Sequence, residues 1–120
     1  MTRLVIDRDT WEPEELDQVF DGCTTQGYQM ALSNPMFEYW ILLHFEDGHG
    51  VHAGNLKRRL TLQLPHFSKS NVELHKIKPG INEAIQRAER KDTPPCEKWP
   101  ETTGTTVYRL VKKLQAVVDE

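Results

Sequence analysis

The chain has 120 residues, a length that makes one domain with one hydrophobic core. The chain is 38% apolar and 28% charged, a composition that predicts a folded domain with a small hydrophobic core. The net charge of −3 argues against a strongly basic nucleic-acid-binding surface. The apolar run Ile41–Leu43 ends at His44 and is too short to be a signal peptide or a membrane span. We therefore expect one cytoplasmic domain over residues 1–120.

The first part of the chain predicts a strand, a helix and a second strand. Leu4–Asp7 is a short apolar run with β-branched residues, as in buried strands. Pro13 fits the first position of a helix. The apolar face of this helix recurs at spacings of three and four: Leu16, Val19, Phe20 and Cys23. Gly27 ends the connection, and Tyr28–Leu32 predicts a strand parallel to the first, joined to it by a right-handed crossover.

The rest of the chain predicts helices joined by loops. A short basic helix around Leu56 and Leu60 ends at Pro65. The next helix has four apolar positions: Ile81, Ala84, Ile85 and Ala88. Asp92–Gly104, rich in Pro and Thr, predicts a surface loop with Trp99 folded back onto the core. The last helix has one apolar side: Val107, Leu110, Val111, Leu114, Val117 and Val118. The expected fold class is therefore α/β, helix-rich, with a small parallel sheet.

The segment Ser33–Glu46 predicts a buried helix. Asn34 fits a helix cap, and Pro35 fits the first helical position. The following residues are apolar on nearly every side, yet Glu38 lies in the first turn and His44 near the end. Glu38 either complements the positive helix terminus or takes a functional role, since a buried carboxylate needs a partner. Four residues should be buried: Phe37, Trp40, Ile41 and Leu43.

Asp7 and Asp9 are the candidate centre of any chemistry. Residues two apart on a strand point the same way, so both carboxylates can face one site. They follow a strand of a parallel pair, where open α/β sheets bind their ligands. Two oxygen ligands suit Mg²⁺ or Mn²⁺, which keep several waters. Alternatively, Asp7 and Asp9 only shape the turn and cap backbone N–H groups. Both interpretations stay open.

Other polar clusters give weaker signals. Cys23 and Cys96 lack the spacing of a zinc site or a disulfide framework, so free thiols are expected. His49 and His52 are a weak metal candidate, because no cysteine accompanies them in their Gly-rich loop. The basic run at residues 57–59 is typical of a solvated helix face rather than of a phosphate clamp.

Four segments together resemble the RloB-like protein family. The central one is SNPMFEYWILLHFE, residues 33–46, which is similar to the family signature. Leu4–Asp9 resembles its hydrophobic strand ending in Asp-x-Asp, and Thr103–Val111 resembles its closing helix. Leu64–Lys69 resembles a weaker motif with an aromatic residue two positions before Lys.

The resemblance implies a partial Toprim-like fold, the fold of topoisomerases, primases and OLD-type nucleases. In that fold a Glu on the first strand and an Asp-x-Asp on a later strand bind the divalent metal. Asp7 and Asp9 match the Asp-x-Asp and are the candidate catalytic and metal-binding residues. The first strand, its Glu and the following helix have no counterpart here, so this is either a fragment of a longer protein or a short member without the acid. We therefore expect weak metal binding and slight or no nuclease activity from this chain alone. Glu38 is a third candidate on topology alone.

Two functions follow from the resemblance. The first is metal-dependent cleavage of nucleic acid in an abortive-infection or restriction-modification locus, as part of phage defence. The second is a non-catalytic interaction module that acts with an ABC-type ATPase. The open sheet edge also favours pairing with a second copy in a homodimer.

Overall fold

The computed structural model describes residues 3–68 and 70–119 and confirms the α/β class. In chain order the elements are β1 (Arg3–Asp7), α1 (Pro13–Gln26), β2 (Gln29–Asn34), α2 (Glu38–Leu42), α3 (Leu56–Gln63), α4 (Leu74–Ile77), α5 (Ile81–Lys91), β3 (Gly104–Thr105) and α6 (Val107–Asp119). The strands form one sheet in the order β1-β2-β3. None of the helices in these residues is long and apolar enough to cross a membrane.

The parallel pair and the helix between its strands confirm the predicted order of elements, but β1 is not the buried strand that was expected, since Leu4 and Val5 are 36% and 45% exposed. β1 runs parallel to β2, with Arg3 opposite Gln29 and Asp7 opposite Ser33. The two strands therefore end side by side at the same edge of the sheet. Helix α1 begins at Pro13 and ends before Gly27, which has the left-handed φ of 76° that glycine adopts without strain.

The third strand was not predicted. β3 is antiparallel to β2, with Ser33 opposite Thr105 and Asn34 opposite Gly104. The next residue extends the contact, because the Thr106 amide donates to the Leu32 carbonyl at 2.9 Å. A two-residue strand inside a Pro- and Thr-rich segment has no periodicity of its own, and its pairing depends on a partner about seventy residues away.

The start of the buried helix differs from the prediction. α2 begins at Glu38, whereas the sequence placed Asn34 at its cap and Pro35 in its first turn. Asn34 is instead the last residue of β2, and its side-chain amide donates to the Pro100 carbonyl at 3.0 Å. Pairing with β3 therefore continues the strand through Asn34 and overrides the local capping preference.

The core is built around α2, as expected. Trp40, Ile41 and Leu43 are buried, and Phe37 packs against them while only partly buried. The other elements contribute further buried residues, which include Ala31, Leu56, Leu60, Leu64, Ile77, Ala84, Ile85, Ala88 and Val107. Each face of this short helix thus meets apolar side chains, because its sequence offers almost no polar position.

The loop after α2 closes over Tyr39. Tyr39 is fully buried, and burial raises the pKa of its hydroxyl to about 12. Gly48 lies against this ring with a φ of 75°, and a β-carbon there would come within 2.6 Å of the Tyr39 oxygen. An ion pair between Arg59 and Glu46 ties the loop to α3. Glycine is therefore required at position 48 both for its φ and for the close approach.

The segment between α5 and β3 is held to the domain at two points. Trp99 packs edge-on against Phe20 of α1, with ring centroids 6.1 Å apart, so it folds back onto α1 rather than onto the core cluster that the sequence predicted. Asp92, at the end of α5, accepts hydrogen bonds from Tyr108 and Arg109 of α6. In α6 the predicted apolar side is only partly covered, since Leu114 is 47% exposed. The side chains of Val117 and Val118 lie outside the described residues.

His44 is a buried histidine whose protonation is linked to stability. Its Nδ1–H donates to the Trp40 carbonyl at 2.9 Å and to the Ile41 carbonyl at 3.1 Å, because carbonyl oxygens can only accept. The ring packs edge-on against Trp40 at a centroid distance of 5.0 Å. Burial lowers the pKa of His44 below its ordinary value, and the two hydrogen bonds offset part of that effect.

We expect the protein to lose stability as the pH falls below about 6.5, the ordinary pKa of histidine. The unfolded chain binds this proton more readily than the folded chain. The contribution of neutral His44 to stability is therefore fully present above that pH. As the pH falls from there towards the lower pKa of the folded state, the free energy of unfolding decreases by at most about 1.4 kcal/mol per pH unit. Urea unfolding at neutral pH and near pH 5.5 measures the effect.

A His44→Gln variant should lose this part of the pH dependence, whereas a variant of the exposed His66, His66→Gln, should keep it. Identical pH dependence in both variants would contradict the prediction.

Candidate carboxylate site at the carboxyl end of the sheet

Asp7 and Asp9 lie where β1 and β2 end side by side. Asp7 is the last residue of β1, and Asp9 follows in a single 3-10 turn, Arg8–Thr10. The Phe37 amide donates to Asp7 Oδ1 at 2.8 Å, and the Asp9 amide donates to the Pro35 carbonyl at 3.1 Å. The two aspartates are therefore held against residues 35–37, the connection between β2 and α2.

The residue paired with Asp7 in the sheet takes part in a buried polar contact. Ser33, opposite Asp7 in the sheet, has its Oγ 2.7 Å from Thr105 Oγ1, and both residues are fully buried. The Thr106 hydroxyl accepts a hydrogen bond from the Leu32 amide at 3.0 Å. These hydroxyls satisfy the backbone and each other, so they fix the strand ends rather than face a ligand.

Asp7 has a structural role that one of the two sequence interpretations anticipated. Its Oδ1 caps the Phe37 amide at the residue before α2 and so orients that helix. Asp7 is half-buried and Asp9 is exposed. Among the side chains and backbone groups that the structure describes, which exclude the side chains of residues 3, 10 and 117–119, none hydrogen-bonds Asp7 Oδ2 or the Asp9 carboxylate.

The donor set suits a hydrated divalent ion rather than a closed metal cage. In the part of the chain that the structure describes, no group of three or more His, Cys, Asp or Glu side chains could hold a metal ion together. Asp7, Asp9 and Glu38 therefore do not form a three-ligand cluster. Mg²⁺ is commonly bound through one or two carboxylates, with waters and substrate phosphates as its other ligands, and the aspartate pair fits that pattern.

Glu38 lies on a groove between α2 and α3. It is half-buried and lines this groove together with apolar and hydroxyl side chains, which include Met36, Leu56, Leu60, Thr61, Phe67 and Ser68. No hydrogen bond to its carboxylate occurs within residues 3–68 and 70–119, although the sequence predicted a partner in the core. The groove was missed because its walls come from segments about twenty residues apart, and only the spacing of Leu56 and Leu60 hinted at one wall.

The remaining candidates from the sequence are the two histidines of the Gly-rich loop and the two cysteines. His52 Nδ1 accepts a hydrogen bond from the Gly54 amide at 3.1 Å, and His49 is an exposed residue of the same loop. Cys23 and Cys96 are both free thiols. Burial, with a hydrogen bond to Asp92, raises the pKa of Cys96 to about 11, which makes its thiol unreactive at neutral pH. Lys69, the last residue of the weaker motif, lies outside the described residues.

The fold and the site define a mixed α/β domain with a carboxylate pair at the end of its first described strand. The family profile described as RloB-like protein matches residues 2–114. The chain therefore belongs to the RloB-like family. No curated protein and no solved structure matches the chain.

Proposed function

We propose that this RloB-like protein is a component of a prokaryotic phage-defence system and hydrolyses phosphodiester bonds of nucleic acid with a divalent metal ion. The observation that carries the proposal is the placement of Asp7 and Asp9 at the carboxyl end of a parallel strand pair, with carboxylate oxygens free of hydrogen bonds to the described residues. The likeness of Asp7-x-Asp9 to the Toprim metal motif supports the same reaction class.

Each residue has a distinct part in the proposed site. Asp7 is fixed by the Phe37 amide through Oδ1, so its Oδ2 is a preoriented ligand for Mg²⁺ or Mn²⁺. Asp9 is exposed and supplies the second carboxylate on the solvent side, where a phosphate can approach. When bound, the ion neutralises phosphate charge and makes a coordinated water more acidic. Glu38 stays a candidate third residue, which would act through water or on the substrate.

A nuclease assay tests the proposal. Because the Toprim Glu has no recognised counterpart, we expect slight Mn²⁺-dependent cleavage of single-stranded or duplex nucleic acid by the wild-type chain, and its fall to the metal-free background in Asp7→Asn and Asp9→Asn variants. Asparagine at position 7 keeps an oxygen that can accept from the Phe37 amide, so folding should be preserved. Asp21→Asn, a change at an exposed carboxylate on α1, is the matched control. Undiminished cleavage in the double variant would contradict the proposal.

The second candidate function is an interaction module that acts with an ABC-type ATPase. Leu62 is 76% exposed and Leu74 is 66% exposed, so both apolar side chains are accessible to a protein partner. On this alternative, Leu62→Ser and Leu74→Ser variants lose association with the ATPase, while Asp7→Asn does not. Metal-dependent cleavage that disappears with the two aspartates would decide for the nuclease instead.

The proposed homodimer would use the free edge of β1. Within the described residues β1 pairs only with β2, and its Leu4 and Val5 are 36% and 45% exposed. An exposed apolar edge strand is a ready site for pairing with another chain. Light scattering that shows only monomer at high protein concentration would exclude this arrangement.

A further inference from the structure

The groove between α2 and α3 has the features of a small-molecule site. Its volume is about 410 Å³, within the range of about 300–1,000 Å³ that is usual for ligand pockets. Its walls are mostly apolar: Met36 precedes α2, Leu56 and Leu60 come from α3, and Phe67 follows α3. Phe67 is half-buried, so part of its ring is open to a ligand.

Two opposite charges lie on these apolar walls. The Glu38 carboxylate and the Lys57 side chain both line the groove, and the Thr61 and Ser68 side chains are the other polar groups there. The Thr61 hydroxyl already donates to the Lys57 carbonyl at 2.8 Å. The carboxylate is therefore the strongest acceptor in the groove, and the ammonium group is its strongest donor.

The groove and the carboxylate site share one short segment of the chain. Residues 35–38 form one short stretch, in which the Pro35 carbonyl and the Phe37 amide bond Asp9 and Asp7. The neighbouring residues on this stretch, Met36 and Glu38, line the groove.

We propose that the groove binds a guanine base of a single-stranded nucleic acid, an inference that rests on the proposed nuclease function. Among the bases, guanine presents two adjacent donors on its Watson–Crick edge, N1–H and the N2 amino group. An ionised carboxylate such as Glu38 only accepts, and its two oxygens match these two donors. Phe67 and the leucines of α3 provide the apolar and aromatic contacts that unstacked bases use in proteins. Lys57, which also lines the groove, is the cationic side chain available to the phosphate attached to that base.

Binding of mononucleotides tests the inference without any cleavage. We expect calorimetry or NMR titration to show that the wild-type protein binds guanosine monophosphate at least about tenfold more tightly than adenosine monophosphate. Inosine monophosphate keeps N1–H but lacks the N2 amino group, so its affinity should lie between the two. Glu38→Gln should abolish the preference, because an amide replaces one acceptor by a donor. Glu83→Gln should keep it, since Glu83 also lies in the first turn of a helix but is exposed on α5.

The outcome for the groove is separable from the outcome for the metal site. The Asp7→Asn, Asp9→Asn double variant should retain the guanine preference even where it has lost metal-dependent cleavage, because the groove walls are unchanged. Equal binding of the guanine and adenine nucleotides, no binding of either, or an unchanged preference in Glu38→Gln would each overturn the inference.

Discussion

Replacement of Trp40 by alanine should lower the free energy of unfolding by ~3–5 kcal/mol. Trp40 is only 5% exposed, belongs to the central core cluster and packs against the His44 ring. Its removal leaves a large cavity beside α2, where the surrounding side chains come from several elements and cannot all move inward. For a domain of this size the loss is a large share of a total of ~5–15 kcal/mol.

Urea unfolding followed by circular dichroism measures this loss. Trp99→Ala is the matched control, because Trp99 is half-buried in a loop and its ring packs against Phe20 outside the core cluster. We expect the control to cost clearly less than Trp40→Ala. If the two substitutions cost the same, α2 would not be the centre of the core.

Replacement of Asp92 by alanine should cost ~2–4 kcal/mol. The Asp92 carboxylate accepts from the Tyr108 hydroxyl at 2.5 Å, from Arg109 Nη2 at 2.6 Å and from the Cys96 amide at 2.9 Å. Burial of Asp92 opposes its charged form, but these hydrogen bonds prevail and lower the pKa of the carboxyl. Alanine leaves a buried hydroxyl and an arginine without their common acceptor.

An exposed ion pair between the same two helices provides the control for Asp92. Glu89 of α5 and Lys112 of α6 are 2.6 Å apart, with side chains 42% and 54% exposed. A Glu89→Ala substitution should therefore cost at most about 1 kcal/mol, because solvent screens such pairs. Chemical denaturation of both variants gives the comparison, and an Asp92→Ala cost as small as that of the control would contradict the buried network.

Hydrophobic periodicity predicted most of the fold. The apolar spacing in α1, α3, α5 and α6 is local, so each helix could be recognised from its own residues. The short apolar runs around Val5 and Ala31 similarly identified the parallel strands. Two of the predictions that failed concern features that depend on distant residues. β3 forms only by pairing with β2, and because that pairing extends β2, α2 begins at Glu38 instead of Pro35.

The candidate site could be predicted from the sequence only where it depends on local pattern rather than on contacts between distant residues. Asp7 ends a recognisable strand, so its position at the edge of the sheet could be inferred from topology. The expectation that Asp9 points the same way by strand alternation was wrong in its premise, because Asp9 lies in a 3-10 turn. The hydrogen bond from Phe37 to Asp7 joins residues thirty positions apart, and the groove at Glu38 requires the packing of α2 on α3. Neither contact leaves a periodic signal in the sequence. α4 was also missed, since four residues are too few to show a period.

The most direct test of the metal site is paramagnetic broadening of amide NMR signals by Mn²⁺. Binding at Asp7 and Asp9 should selectively broaden the signals of residues 7–9 and of their hydrogen-bonded neighbours at 35–37 in the wild-type protein. The Asp7→Asn, Asp9→Asn double variant should show no such localised broadening, because amides are poor ligands for Mn²⁺. Equal broadening in both proteins, or broadening centred elsewhere in the wild type, would contradict a metal site at these two aspartates.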